Sequence, residues 1–295
     1  NARALNLSEI SKLREDFISA AIRAQKCGYD GVEVHGAHGY ILTQFLSSEI
    51  NNRQDEYGGT LENRARLIFE ILEGIRAKCG PNFLVGIRLS PERFGMKLSE
   101  IKVLCQQLID DGKIDFLDLS LWDCFKTPEE YPESDMTLLE HVLQLNYKNV
   151  KLTVAGNIRT GHDVQRVIDA GVDFIVSPGF NPTTVKYCQQ RSVTIVPGVN
   201  SPSLVEQAME MGLRTLKFFP AEPSGGVAML KALTAVYPVK FMPTGGVTPS
   251  NIDQYLSIPA VLACGGTWMV PADLVDNKKW DELGALVQAA VASVK

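Results

Sequence analysis

No HExxH or similar zinc pattern occurs among the four histidines, so the sequence offers no metal site. The six cysteines (27, 79, 105, 124, 188 and 264) are scattered without CxxC spacing. They read as small buried hydrophobes kept reduced, which places the protein in the cytoplasm and excludes a disulfide scaffold. No apolar run approaches the ~20 residues a membrane span needs, and the start carries no signal-peptide pattern. Long basic runs are also missing. With a net charge of −5, nothing draws the chain to nucleic acid or an anionic membrane. No Pro/Gly/Ser-rich linker divides the chain in two. What remains is a chain with 45% apolar and 21% charged residues, ample for a core, whose default partner is a small molecule.

Short apolar strands alternate with helical stretches almost throughout. The strand candidates are Gly31–Val34, Leu84–Leu89, Phe116–Leu119, Lys151–Ala155, Asp173–Val176, Val193–Val196, Thr215–Phe219, Val239–Met242 and Val261–Cys264. Helical periodicity lies near 8–27, 61–78, 98–111, 137–146, 161–170, 181–190, 202–212, 225–236, 249–256 and 280–294. Ser8 is the N-cap expected for the first helix. Strands apolar on both faces, separated by helices, predict an α/β protein with a parallel sheet covered by helices. The expected architecture is a single parallel (β/α) TIM-like barrel spanning 1–295. The candidate strands number one more than the eight such a barrel holds, so Gly31–Val34 is a ninth, inserted at the closure or displaced outside it.

Two sets of motifs divide the chain. HGAHGY at 35–40, NxRxDxYGG at 51–59, ENR at 62–64, Val85–Ser90 and Ala155–Asn157 follow in order. Together they resemble the Old Yellow Enzyme family of FMN-dependent ene-reductases over residues 8–172. That resemblance implies that His35 and His38 bind a substrate carbonyl over the flavin. It implies that Arg88 faces the flavin pyrimidine edge, where a fixed cation stabilises the reduced anion. Gly156 and Asn157 are implied to offer backbone donors to the FMN phosphate. Asp55, Tyr57 and Arg64 read as loop braces. The family's three preceding strands are not in this sequence, and its phosphate-holding arginine is replaced by Pro178-Gly179. FMN is therefore not required, and any binding of it is expected to be weak.

After the seam, Phe174–Gly179, Ile195–Gly198, Lys217-Phe-Phe-Pro-Ala-Glu222, Pro243-Thr-Gly-Gly246 and Gly265-Gly-Thr-Trp268 come in order. They are similar to 2-keto-3-deoxy-6-phosphogluconate aldolase, a class I (Schiff-base) aldolase, over 173–295. Lys217 stands in an otherwise apolar strand, where burial favours the free amine that attacks a ketone. The resemblance places the Schiff-base lysine there. Gly245, Gly246, Gly266 and Thr267 follow the last two strands, where barrels commonly bind phosphate. The Val154–Gly179 unit suits either family, which marks the join near Gly171.

If that shared unit superposes the two families, Asp118 falls on the aldolase's proton-shuttling Glu, Trp122 on its carboxylate-binding Arg, and Asn157 on its Thr. The expectation is then a chimera: phosphate loops and a reactive Lys217 are kept, but no parental active site is complete and little activity follows. Motifs such as His35 and His38, unused in the new setting, suggest an engineered origin. The alternatives are an active aldolase releasing pyruvate and glyceraldehyde 3-phosphate, and an FMN oxidoreductase. Whether it is an enzyme at all is left open. The expected partner is phosphate or a small phosphorylated ligand, with a homo-oligomer in view because the aldolases it resembles are trimers.

Overall fold

The computed structural model describes residues 3–172, 174–277 and 279–292. They form two compact units, Asn1–Ile158 and Arg159–Lys295. The Asp173 expected to open a strand lies outside the described residues.

In the first unit the order is α1 (Leu7–Lys26), β1 (Gly31–Gly36), α2 (Ile41–Leu46), α3 (Leu61–Cys79), β2 (Leu84–Leu89), α4 (Leu98–Asp111), β3 (Phe116–Ser120), α5 (Leu138–Leu143) and β4 (Lys151–Ala155). The four strands pair in sequence order, all parallel. Each helix returns the chain to the same end of the sheet, so all four strand C-termini share one edge. On the helix side, Val85, Ile87, Leu89, Leu117 and Leu119 are wholly buried, as are Leu67, Ile68, Ile71 and Leu72 of α3. Gly74 lets α1 press against α3, since a Cβ there would collide with Ile18 Cδ1. The other face is open: Leu84 is 49% exposed, and Glu33 and Thr153 are exposed or half-exposed too. The sheet is thus covered on one face rather than two. Asn6 caps α1 in a capping box with Glu9; Ser8, the expected cap, lies inside the helix and donates to Asn6. Cap choice between neighbouring polar residues turns on backbone geometry, and Asn6 is the extended one.

The second unit runs α6 (Gly161–Asp169), β5 (Phe174–Val176), α7 (Pro182–Gln190), β6 (Thr194–Val196), β7 (Gly198–Val199), α8 (Pro202–Glu210), β8 (Thr215–Phe218), α9 (Gly226–Val236), β9 (Lys240–Pro243), α10 (Ile252–Leu256), α11 (Ala272–Asp276) and α12 (Trp280–Ala292). Its strands form two parallel sheets, β5–β6 and β7–β8–β9. Pro197 divides β6 from β7 because it has no N–H to donate to a ladder, although its carbonyl still accepts from Lys217 N at 2.9 Å. Val261–Cys264, expected as a strand, is not one. Only single parallel bridges, Phe241 to Val261 and Thr244 to Gly265, continue the sheet there. The protein is therefore α/β with parallel sheets, and among the described residues the strands pair in three sheets.

Candidate functional site

In the first unit the strand C-termini gather the polar residues. His35, Arg88 and Asp118 are successive cross-strand partners on β1, β2 and β3. Parallel register therefore sets them side by side on the open face. Arg88 Nε lies 3.0 Å from Asp118 Oδ2, but its N–H is not aimed at the carboxylate and, buried, has no acceptor. His35 and His38 face each other with ring centroids 5.1 Å apart. His38 Nε2 is 2.7 Å from Ser120 Oγ, and the His38 backbone N–H donates to Ser90 Oγ. Burial first, then the neighbouring His38, hold the His35 pKa below the usual imidazole value.

Each of the four βα loops at this edge contains a non-glycine residue in the left-handed region. These are His38 after β1, Arg93 and Phe94 after β2, Trp122 after β3 and Asn157 after β4. Such conformations cost about 1–3 kcal/mol each and gather where a site is built. The Arg93 guanidinium lies over the Trp122 ring at 4.5 Å, and His38 meets that ring edge-on at 6.3 Å. Gly156 fits against the Trp122 backbone, and Asn157 Nδ2 donates to Asp123. Sequence reasoning missed Ser90, Ser120 and Arg93 because single serines and arginines carry no periodic signal. Asp55, Tyr57 and Arg64 brace loops: Asp55 accepts two bonds from Arg53, Tyr57 donates to Glu70, and buried Arg64 ties Leu46 O, Gly59 O and Glu100 together.

In the second unit Lys217 pairs in register with Gly198 on β7 and Met242 on β9. It is partly rather than fully buried, with Nζ 4.7 Å from the Phe219 ring centroid. The following loops interlock. Ala221 N donates to Thr244 O, and Glu222 N to Gly245 O. Gly245 and Gly246 have φ of 97° and 86°, and a Cβ on Gly246 would meet Glu222 Cβ at 2.7 Å. Only glycine serves at both positions. The Glu222 carboxylate accepts the hydroxyl of Tyr255, which is fully buried. Thr244 Oγ1 is buried without a hydrogen-bond partner, a residue not singled out from sequence. Gly266 lies under the Trp268 ring, and Thr267 is exposed. Among the described residues no group of three His, Cys, Asp or Glu is placed to hold a metal, and no helix is long and apolar enough to cross a membrane.

Two family models match. NADH:flavin oxidoreductase / NADH oxidase covers residues 1–177, and KDPG and KHG aldolase covers residues 139–286. The chain belongs to both families. The matches overlap over 139–177, which contains the boundary between the units. The aldolase part is 47% identical over 145 residues to 2-dehydro-3-deoxy-phosphogluconate aldolase of Haemophilus influenzae, covering 49% of this chain and 68% of that one. It is 36% identical over 142 residues to KHG/KDPG aldolase of Escherichia coli K12, covering 48% and 67%. The flavin-oxidoreductase part is similar to morphinone reductase in complex with tetrahydroNAD at 35% identity, covering 58% of this chain and 45% of that one with a TM-score of 0.46. The chain thus spans about two thirds of the aldolases' length and under half of morphinone reductase.

Proposed function

We propose that the chain is a recombined α/β barrel, engineered from fragments of two enzymes. In this reading the aldolase part keeps a nucleophilic lysine and phosphate loops, and neither parental active site is complete. The sheets of the two units close into one cylinder of eight strands, with β1 inserted as a ninth or displaced.

The observation that carries the functional reading is the Arg88–Asp118 pair. In a class I aldolase reaction, the Lys217 amine adds to the ketone of a 2-keto acid and water leaves, forming an iminium. A base must then move a proton so that the carbon–carbon bond breaks. On the proposed superposition that base is Asp118, one methylene shorter than the glutamate it stands for and held beside Arg88 with Nε 3.0 Å from its Oδ2. Trp122 supplies no charge to hold the pyruvoyl carboxylate. A phosphorylated ligand would rest on the amides of Gly245, Gly246, Gly266 and Thr267, with Thr244 Oγ1 as an added donor. Imine formation without efficient cleavage is the result.

In this reading FMN is not required and any binding of it is weak, because Pro178-Gly179 supply no cation for the phosphate.

Borohydride reduction with pyruvate, read by mass spectrometry, tests the nucleophile beside a pyruvate-release assay. The expected result is an adduct on Lys217 with release slowed at least roughly 10²-fold relative to an aldolase of this family. No adduct overturns Lys217. Release at a family rate replaces this reading with an active aldolase. A purified sample that carries flavin absorbance overturns the expectation of weak FMN binding.

A further inference from the structure

The loops after β8 and β9 meet along two peptide planes, and those planes decide which way the Gly245 and Gly246 amides point. Thr244 O accepts from Ala221 N at 2.9 Å, and Gly245 O accepts from Glu222 N at 3.0 Å. Both peptides are trans, so each N–H points opposite to the C=O of its own plane. The N–H groups that share these two planes belong to Gly245 and Gly246. They are therefore turned away from residues 221 and 222. The next carbonyl is held as well, since Gly246 O accepts from Asn251 Nδ2 at 3.2 Å.

One side chain fastens this arrangement from both sides. Glu222 opens the short turn Glu222–Ser224 that follows β8. Its Cβ and Cγ lie against Gly246, where an added Cβ would meet each of them at 2.7 Å. Its carboxylate accepts the hydroxyl of Tyr255 on α10, and Tyr255 is fully buried. The anchor is therefore a packed core residue, and a bond to a carboxylate is roughly twice as strong as one between neutral groups. Charge gives Glu222 no reason to stand here, because a carboxylate beside an anion site repels the anion. Its contacts give it a geometric one.

We propose that Glu222 is a positioning residue for phosphate: tied to Tyr255, it sets the peptide planes that aim the Gly245 and Gly246 amides. This rests on the reading of that loop as a phosphate site. Inorganic phosphate, titrated into isotope-labelled full-length chain and followed by NMR at those two amides, tests it. Tyr255→Phe keeps every charge, removes one hydroxyl, and should weaken phosphate about tenfold. Glu222→Gln leaves a neutral bond to that hydroxyl and should weaken phosphate about threefold, although loss of a negative charge by itself would tighten it. The double variant should lose no more than Tyr255→Phe alone, because both changes act on one bond. Tighter binding by Glu222→Gln, unchanged binding by Tyr255→Phe, or losses that add overturns the proposal. So does a lower thermal midpoint with phosphate affinity unchanged, which would make the bond structural only. If one variant does not fold, the other decides the matter. No saturable response in the unaltered chain overturns the phosphate reading itself, and this proposal with it.

Discussion

Arg64 holds three parts of the first unit together. It is 3% exposed and joins the end of α2, the Gly59 turn and Glu100 of α4. Arg64→Ala removes one charged donor group from three acceptors and should cost about 3 kcal/mol, seen as a lower urea midpoint. His35 predicts a pH effect. Its folded pKa is lowered from 6.5, so the unfolded chain binds the proton more readily. The stability it contributes is full above that ordinary value and is lost as pH falls from there through the lower folded pKa. Denaturation measured from about pH 8 down to 5 should show that loss, and His35→Phe should flatten it. An NMR titration of His35 with a midpoint at or above 6.5 would refute the assignment. The motif residues were readable because they sit in contiguous runs. The Arg88–Asp118 approach was not, since 30 residues separate them in sequence (118 − 88) and only strand register brings them together.

Elements followed the sequence where periodicity had room to repeat. The helices α1, α3 and α4 lie within a residue or so of their expected spans because each repeats its apolar stripe over several turns. The short helices α2 and α11, six and five residues long, were not among the expected helices. Val261–Cys264 looked like a strand by composition, yet it lacks a continuous ladder on β9. Helix α6, in the overlap of the two families, depends on its capping box: Thr160 accepts from Asp163 N, and Asp163 accepts from the Thr160 backbone. Thr160→Ala should cost about 1 kcal/mol, read as a lower thermal midpoint, and Thr160→Ser should restore most of it. In the first sheet, Gly86→Val would press a side chain into the Phe116 ring, which already fills the space a Cβ would need. An overpacking cost of about 1–3 kcal/mol is expected in the same assay.

At the scale of the molecule, the proposed closure makes a prediction about cooperativity. One cylinder assembled from both units should unfold in a single urea transition, coincident by far-ultraviolet circular dichroism and tryptophan fluorescence. Two resolved transitions would mean that each unit folds as its own body, and the roles proposed for Asp118 and Trp122 would fall with the closure. The sequence alone determined the two family halves, their overlap, the parallel α/β class and the order of most elements, because these are written in local periodicity and contiguous motifs. Tertiary structure decided the rest. The division of the strands at Pro197, the pairing of Arg88 with Asp118, the one-sided cover of the first sheet and the locked Glu222–Gly246 contact all depend on which distant residues meet. Such meetings are set by register and packing across the sheet, which no local pattern encodes.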